Sequence, residues 1–138
     1  MATVRKSVTI SKPAALVWHA VSDAGQLHTR VAPGMVVDTR LEDNGEVRIV
    51  TFGNGMMLKE YMISNDDTTM RLAWSAESEQ WSHHNASLQI FVLDDGMCEA
   101  VWTADVLPHA AGALMEQFLT AGLGAMKAHM EGGLDDRD

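Results

Sequence analysis

A carboxylate set between two apolar side chains is the first sign of chemistry in this sequence. In MLKEYMI, residues 57–63, Leu58, Glu60 and Met62 share one face if the segment is extended. Either that face is solvated, with Lys59 and Tyr61 turned inward, or it lines a cavity. In an apolar cavity an ionised carboxylate is costly, so Glu60 must hold a proton or find a partner. A cavity role for Glu60 predicts that Glu60→Gln alters ligand affinity or turnover while leaving thermal stability unchanged or higher. His83 and His84 open a second extended stretch, and an imidazole exchanges protons near neutral pH. A pair of surface histidines at a loop edge is the alternative. Trp74 and Trp102 have the ring area to stack on a planar ligand and an indole N–H each to donate, or they are plain core.

Other chemistries find no support in the residue pattern. Six histidines invite a zinc test, but His83 and His84 would point to opposite faces of a strand, and His19, His109 and His129 lie on separate helical segments. No metal and no cofactor are expected. The single cysteine, Cys98, allows no intrachain disulfide and gives no reason to expect an oxidising compartment. Ten Lys and Arg against 19 Asp and Glu give a net charge of −9, which repels nucleic acid. The N-terminal MATVRKSVTI has no apolar signal core, and no apolar run approaches the ~18 residues of a membrane span. The expectation is a cytoplasmic, bacterial-type protein with no membrane partner.

The elements that must position these groups follow from periodicity. VRKSVTI alternates as a half-buried strand; Ser11 as a cap-like residue and Pro13 as a first-turn proline then introduce a short helix with Leu16, Val17, Ala20 and Val21 inward, and GQLHTRVAPG makes a second short helix before Pro33. From Met35 to Trp102 the period is two, in six strands separated by EDNG, GNG, SNDD, ESEQ and DDG. Beyond Pro108 a long helix carries a stripe of Leu114, Phe118, Gly122, Ala125 and His129, flanked by Met115, Leu119, Leu123, Met126 and Met130. This order defines an α+β chain. A sheet so long must curl, and the last helix has its concave side to bury against. One domain over 1–131 is expected, with 132–138 an acidic, flexible tail.

The residues VTISKPAALVWHAVSDAGQLHTRVAPG, EVRIVTFGNGMMLKEYMI and FLTAGLGAMKAHM, in this order, resemble the helix-grip fold of the START/SRPBCC superfamily and its bacterial polyketide cyclase/dehydrase branch. The resemblance implies a curved seven-stranded antiparallel sheet wrapped around the C-terminal helix, with two short helices after strand one. Ala24 and Arg30 depart from it, standing where that branch often has aromatic residues. It also implies that Glu60, Trp74, His84, Ala86 and Trp102 face a cavity, and period two extends the inner set to Val47, Ile49, Leu58, Met62, Leu72, Leu88, Ile90 and Ala100. His28 takes the place where related hormone receptors hold a ligand-binding lysine, or is simply exposed. Phe118 and Gly122 would line the cavity from the last helix, Gly122 either holding space for a guest or allowing close packing. Phe52, Gly53, Gly55 and Met56 match a flexible loop over the mouth, with an ordinary hairpin turn as the alternative.

Two functions follow as expectations. One is the binding of a small hydrophobic molecule, aromatic, polyketide-like or lipid, in the cavity. The other is a cyclase/dehydratase in which Glu60 and His84 move protons. A dimerising interaction protein with a vestigial cavity, acting as a homodimer, is a third.

Overall fold

A computed structural model describes residues 1–94 and 96–133. Strand β1 (Ala2–Ile10) is followed by helix α1 (Ala14–Val21), then by β2 (Val36–Glu42), β3 (Val47–Phe52), β4 (Met57–Asp66), β5 (Arg71–Glu77), β6 (His83–Asp94) and β7 (Met97–Leu107), and finally by α2 (Gly112–Ala128). The strands form one antiparallel sheet in the order β1-β7-β6-β5-β4-β3-β2, so β2 to β7 make a meander and β1 closes on β7. This is the helix-grip architecture that the sequence implies. The acidic tail expected at 132–138 lies, from 134 onward, outside the described residues, as does Asp95 in the last hairpin.

Alternation builds the inner face. Leu58 and Glu60 on β4, Leu72, Trp74 and Ala76 on β5, His84, Ala86, Leu88 and Ile90 on β6, and Cys98, Ala100, Ala104 and Val106 on β7 are all buried. The apolar ones form one core with Val17, Trp18 and Val21 of α1 and Met115, Leu119, Leu123 and Met126 of α2. Helix α2 packs chiefly on β1 and β7. Its C-terminal end is tied down by Glu131, which accepts the Ser11 backbone N–H at 2.8 Å and pairs with Lys127 at 3.0 Å.

Several local expectations are corrected. Ser11 does not cap α1, because Pro13 occupies the cap position and the Ser11 N–H goes to Glu131. Leu16 and Leu114, placed inward by helical spacing, are 41% and 39% exposed. On α1 it is Trp18 that turns inward, its Nε1–H bonded to Asp67 at 2.9 Å, and on α2 the buried row runs through Met115, Leu119, Leu123, Met126 and Met130. Each helix has apolar residues on two adjacent rows, and only packing against the sheet selects between them. The second short helix is a 3₁₀ turn (Ala24–Gln26) running into a π turn (Leu27–Val31), closed by the Ala32 N–H on the Leu27 carbonyl at 3.0 Å.

Candidate functional site

Between the sheet, the π turn and α2 lies a cavity of about 60 Å³. Its lining is apolar apart from Glu60 and Arg48, with the side chains of Trp74 and Trp102 among its walls. Leu72, Leu88, Phe118 and Gly122 also line it, as the sequence implies, and Phe52 does so from the end of β3. The wall that period two does not reveal comes from Val21, Leu27, Val31, Ala32, Met35 and Val36, and from Leu123 and Met126 on α2.

Glu60 is neutralised by Arg48. Its Nε and Nη2 lie 2.7 and 2.6 Å from Glu60 Oε1, and the two side chains are only 3% and 7% exposed. The guanidinium also sits 5.6 Å from the Trp74 ring centre and donates through Nη1 to the Ala24 carbonyl at 3.4 Å. The carboxylate is therefore matched by a cation with rigid donors, the arrangement in which a buried charge is tolerated.

Arg48 faces inward because β3 has the opposite phase to the one expected. Arg48 stands directly across from Glu60 and Val50 from Leu58, so Arg48, Val50 and Phe52 share the inner face. Ile49 lies opposite Lys59 on the other face, and it does not line the cavity; Val47, opposite Tyr61, is buried on that outer face. EVRIVTF is apolar on both phases, so alternation alone favours the one that keeps a charge outside. The turn carries the missing signal. Phe52 to Met56 close a hairpin, and counting back from the pair Thr51 and Met57 puts residue 48 across from residue 60.

Other expected site residues lie elsewhere. Leu58, Met62 and Ala86 pack in or against the core without lining the cavity. His28 is not in the cavity wall: its Nδ1 is 3.0 Å from Thr39 Oγ1, and its backbone N–H also meets that oxygen. His84 faces inward but is bound to the end of the β5–β6 hairpin rather than to the cavity. Its Nδ1 accepts the Ala76 N–H at 3.0 Å, and its ring stacks on Trp81 at 5.3 Å. Trp81 Nε1 in turn donates to the Ala76 carbonyl at 2.8 Å, so two side chains take over the backbone groups of Ala76 where the ladder ends. Burial, with a smaller contribution from His83, pushes His84 down to about 4. It is a neutral acceptor at pH 7 and not the neutral-range proton donor that its residue type suggests.

The loop over the mouth is a hydrogen-bonded turn. Gly55 N–H donates to the Phe52 carbonyl and Gly53 N–H to the Met35 carbonyl, both at 2.9 Å, and Gly55 has φ +90°. Outside it, an open recess of about 520 Å³ is lined by Gly53, Met56, Trp81, Leu114 and Met115. Met35, Phe52 and Phe118 belong to both spaces and form the partition, with Phe52 and Phe118 edge to face at 5.3 Å.

The inner space is tighter than a concave sheet suggests, because Trp74, Trp102 and Phe118 fill it as a cluster with ring centres 5.8 and 6.0 Å apart. Gly122 serves this packing: a Cβ there would fall 2.5 Å from Trp102 Cζ3. Gly122→Ala should therefore lose about 1–2 kcal/mol despite its better helix propensity, since the indole must shift. Gly124, exposed and with open space around it, should gain up to about 1 kcal/mol from the same change. Urea denaturation of the two variants checks the contrast, and equal effects would count against close packing at Gly122.

Residues 1–131 match the family model described as polyketide cyclase / dehydrase and lipid transport. Curated protein sequences give no match. Among solved structures, the chain is similar to a Thermobifida fusca protein (TM-score 0.77, 29% identity, 94% of this chain and 93% of that one). It is also similar in fold to the protein XoxI from Bacillus cereus (0.85, 17%, 94% and 96%) and to the Zhui aromatase/cyclase from a Streptomyces species (0.70, 18%, 96% and 97%). The chain belongs to the polyketide cyclase/dehydrase and lipid transport family, within the START/SRPBCC superfamily.

Proposed function

We propose that this protein binds a small, largely apolar molecule, aromatic or polyketide-like in shape, in the cavity between sheet and α2. The observation that carries the reading is a buried ion pair, Arg48–Glu60, opening onto an otherwise apolar space walled by Trp74 and Trp102. A few polar groups converging in an apolar pocket are the usual form of a small-molecule site. The space of about 60 Å³ is enough for a few waters, so a guest must move side chains. Met35, Met126 and Phe118 are suited to that, and displacement of the Met35–Phe52–Phe118 partition would join the cavity to the outer recess.

The cyclase/dehydratase alternative asks Glu60 and His84 to pass protons to one guest. Glu60 is engaged by Arg48 and His84 by the Ala76 N–H, so neither is free in the way such chemistry needs, and binding is the better supported reading. The test is titration of the protein with naphthalene-sized aromatics, followed by tryptophan fluorescence, with native mass spectrometry of the protein as purified from cells. Saturable one-to-one binding is expected, weakened at least tenfold by Leu72→Phe, which fills the cavity. A protein that retains no guest and binds none of these probes would refute the reading.

A further inference from the structure

We infer that residues 24–32 form a movable strap, and that its release from α1 is the motion that makes room in the cavity for a guest. The inference rests on the binding reading and says how a space of about 60 Å³ enlarges.

Three walls bound that space, and they differ in what holds them. The sheet is one ladder in which each strand is paired with its neighbours. Helix α2 is 17 residues long, packs on β1 and β7, and is fixed near its C-terminal end through Glu131. The strap, which supplies Leu27, Val31 and Ala32, belongs to neither. Its 3₁₀ turn meets its π turn at Gln26 (φ −120°, ψ 30°), and the π turn ends at Ala32 (φ −137°, ψ 59°), so no continuous helix runs through it. A tight turn followed by a wide one is a poor substitute for an α-helix, and segments held this way open at the lowest cost in a fold.

Side chains fasten the strap instead. Arg30, in the π turn, donates through Nη1 to Asp23 Oδ2 at 3.0 Å, and its Nη2 lies 2.7 Å from His19 Nδ1 on α1. Among the described residues this is the side-chain hydrogen bond that joins the π turn to α1. Arg30 and Asp23 are 33% and 44% exposed, so the clasp adds little to global stability and acts locally. On the other flank His28 meets Thr39 Oγ1 of β2 through Nδ1 and its backbone N–H. Arg48 Nη1 reaches the Ala24 carbonyl at 3.4 Å, the longest of its hydrogen bonds.

Lifting the strap breaks these ties and leaves the Arg48–Glu60 contacts of 2.6 and 2.7 Å in place, whereas moving β3 or β4 would separate a buried ion pair. Displacing Met35, Phe52 and Phe118 opens a path from the outer recess, and the strap supplies the volume. A cavity that must open before it binds has its affinity reduced by the fraction of molecules that are open, so loosening the strap should tighten binding.

The experiment compares the native protein with Arg30→Ala and, as a control, with Arg40→Ala, which removes an exposed pair to Glu42 at 3.1 Å outside the strap. Amide hydrogen exchange by NMR reads the Ala32 N–H, which closes the π turn on the Leu27 carbonyl, against the Ala100 N–H of β7. Calorimetric titration with naphthalene reads the cavity. Arg30→Ala should speed Ala32 exchange about fivefold, the upper end for an exposed pair, leave Ala100 unchanged, and tighten naphthalene binding by a similar factor. Arg40→Ala should do none of these. Ala32 exchange that responds no more to Arg30→Ala than to Arg40→Ala overturns the inference. Faster Ala32 exchange with unaltered naphthalene affinity overturns it too, and leaves the binding reading intact. If neither the native protein nor Arg30→Ala binds naphthalene, the inference falls together with the binding reading. Should Arg30→Ala not fold, Asp23→Asn weakens the same clasp and carries the comparison, with the same directions expected.

Discussion

Replacing Arg48 by methionine is expected to cost about 3–5 kcal/mol of stability, a fall of roughly 10–20 °C in Tm for a chain of this size. The expected loss is large because of what remains behind. Glu60 would keep its place, buried and 6% exposed, without the two donors that now meet Oε1. Glu60→Gln should also destabilise, toward the lower end of that range, since the amide oxygen still accepts from Arg48 but leaves its charge unbalanced. This reverses the expectation from the sequence that Glu60→Gln leaves stability unchanged or higher, because the carboxylate is paired with Arg48. Arg48→Met combined with Glu60→Leu removes both charges at once and should recover most of the loss, or exceed native stability by about 1–4 kcal/mol. Chemical denaturation of the four proteins forms a complete cycle. A single Arg48→Met variant as stable as the native chain would show that the two groups do not depend on each other. If the double variant is stable but no longer binds guests, the pair is kept for recognition at the expense of stability, which is the pattern expected of a functional polar group in a core.

The same pair shows how far sequence reasoning reaches. The sheet was legible because alternation over six segments and turn residues such as Asn44-Gly45 leave few topologies open; Asn44 and Gly45 do adopt φ of 57° and 89°. Glu60, Trp74 and Trp102 were legible as cavity residues because the family likeness fixed the phase of their strands. Arg48 was not, since burying a guanidinium contradicts composition rules until its partner across the hairpin is identified. Satisfaction of a buried charge is a pairwise property, visible only through register. His84 illustrates a different limit. Its inward direction was readable, but its chemistry depends on which backbone group is left unpaired where the β5–β6 ladder stops, and on Trp81 folding back from a loop to cover it. The cavity's small volume belongs to the same class: it is set by where three aromatic rings meet, not by the type of any one residue.

Acidification from pH 6.5 to 4 should remove about 3 kcal/mol of stability through His84 alone. In the unfolded chain this imidazole takes up its proton near pH 6.5, whereas in the folded chain burial holds that event down to about 4. Between those values the unfolded state binds the extra proton, so stability is complete above pH 6.5, declines as pH falls, and reaches its full loss once the folded form also protonates. Protonation would place a donor at Nδ1 against the Ala76 N–H and a charge beside Trp81, within a site that is only 7% exposed. His84→Gln offers an amide oxygen to the same N–H without titrating, so its stability should change less over this range. Urea denaturation of both proteins at half-unit steps from pH 7.5 to 4 isolates the effect as a difference, removing the carboxylates that titrate in both. A difference that stays flat would mean His84 is not held neutral by its surroundings. Its freedom to exchange protons near neutrality would then return, and with it the case for acid–base chemistry at this end of the sheet.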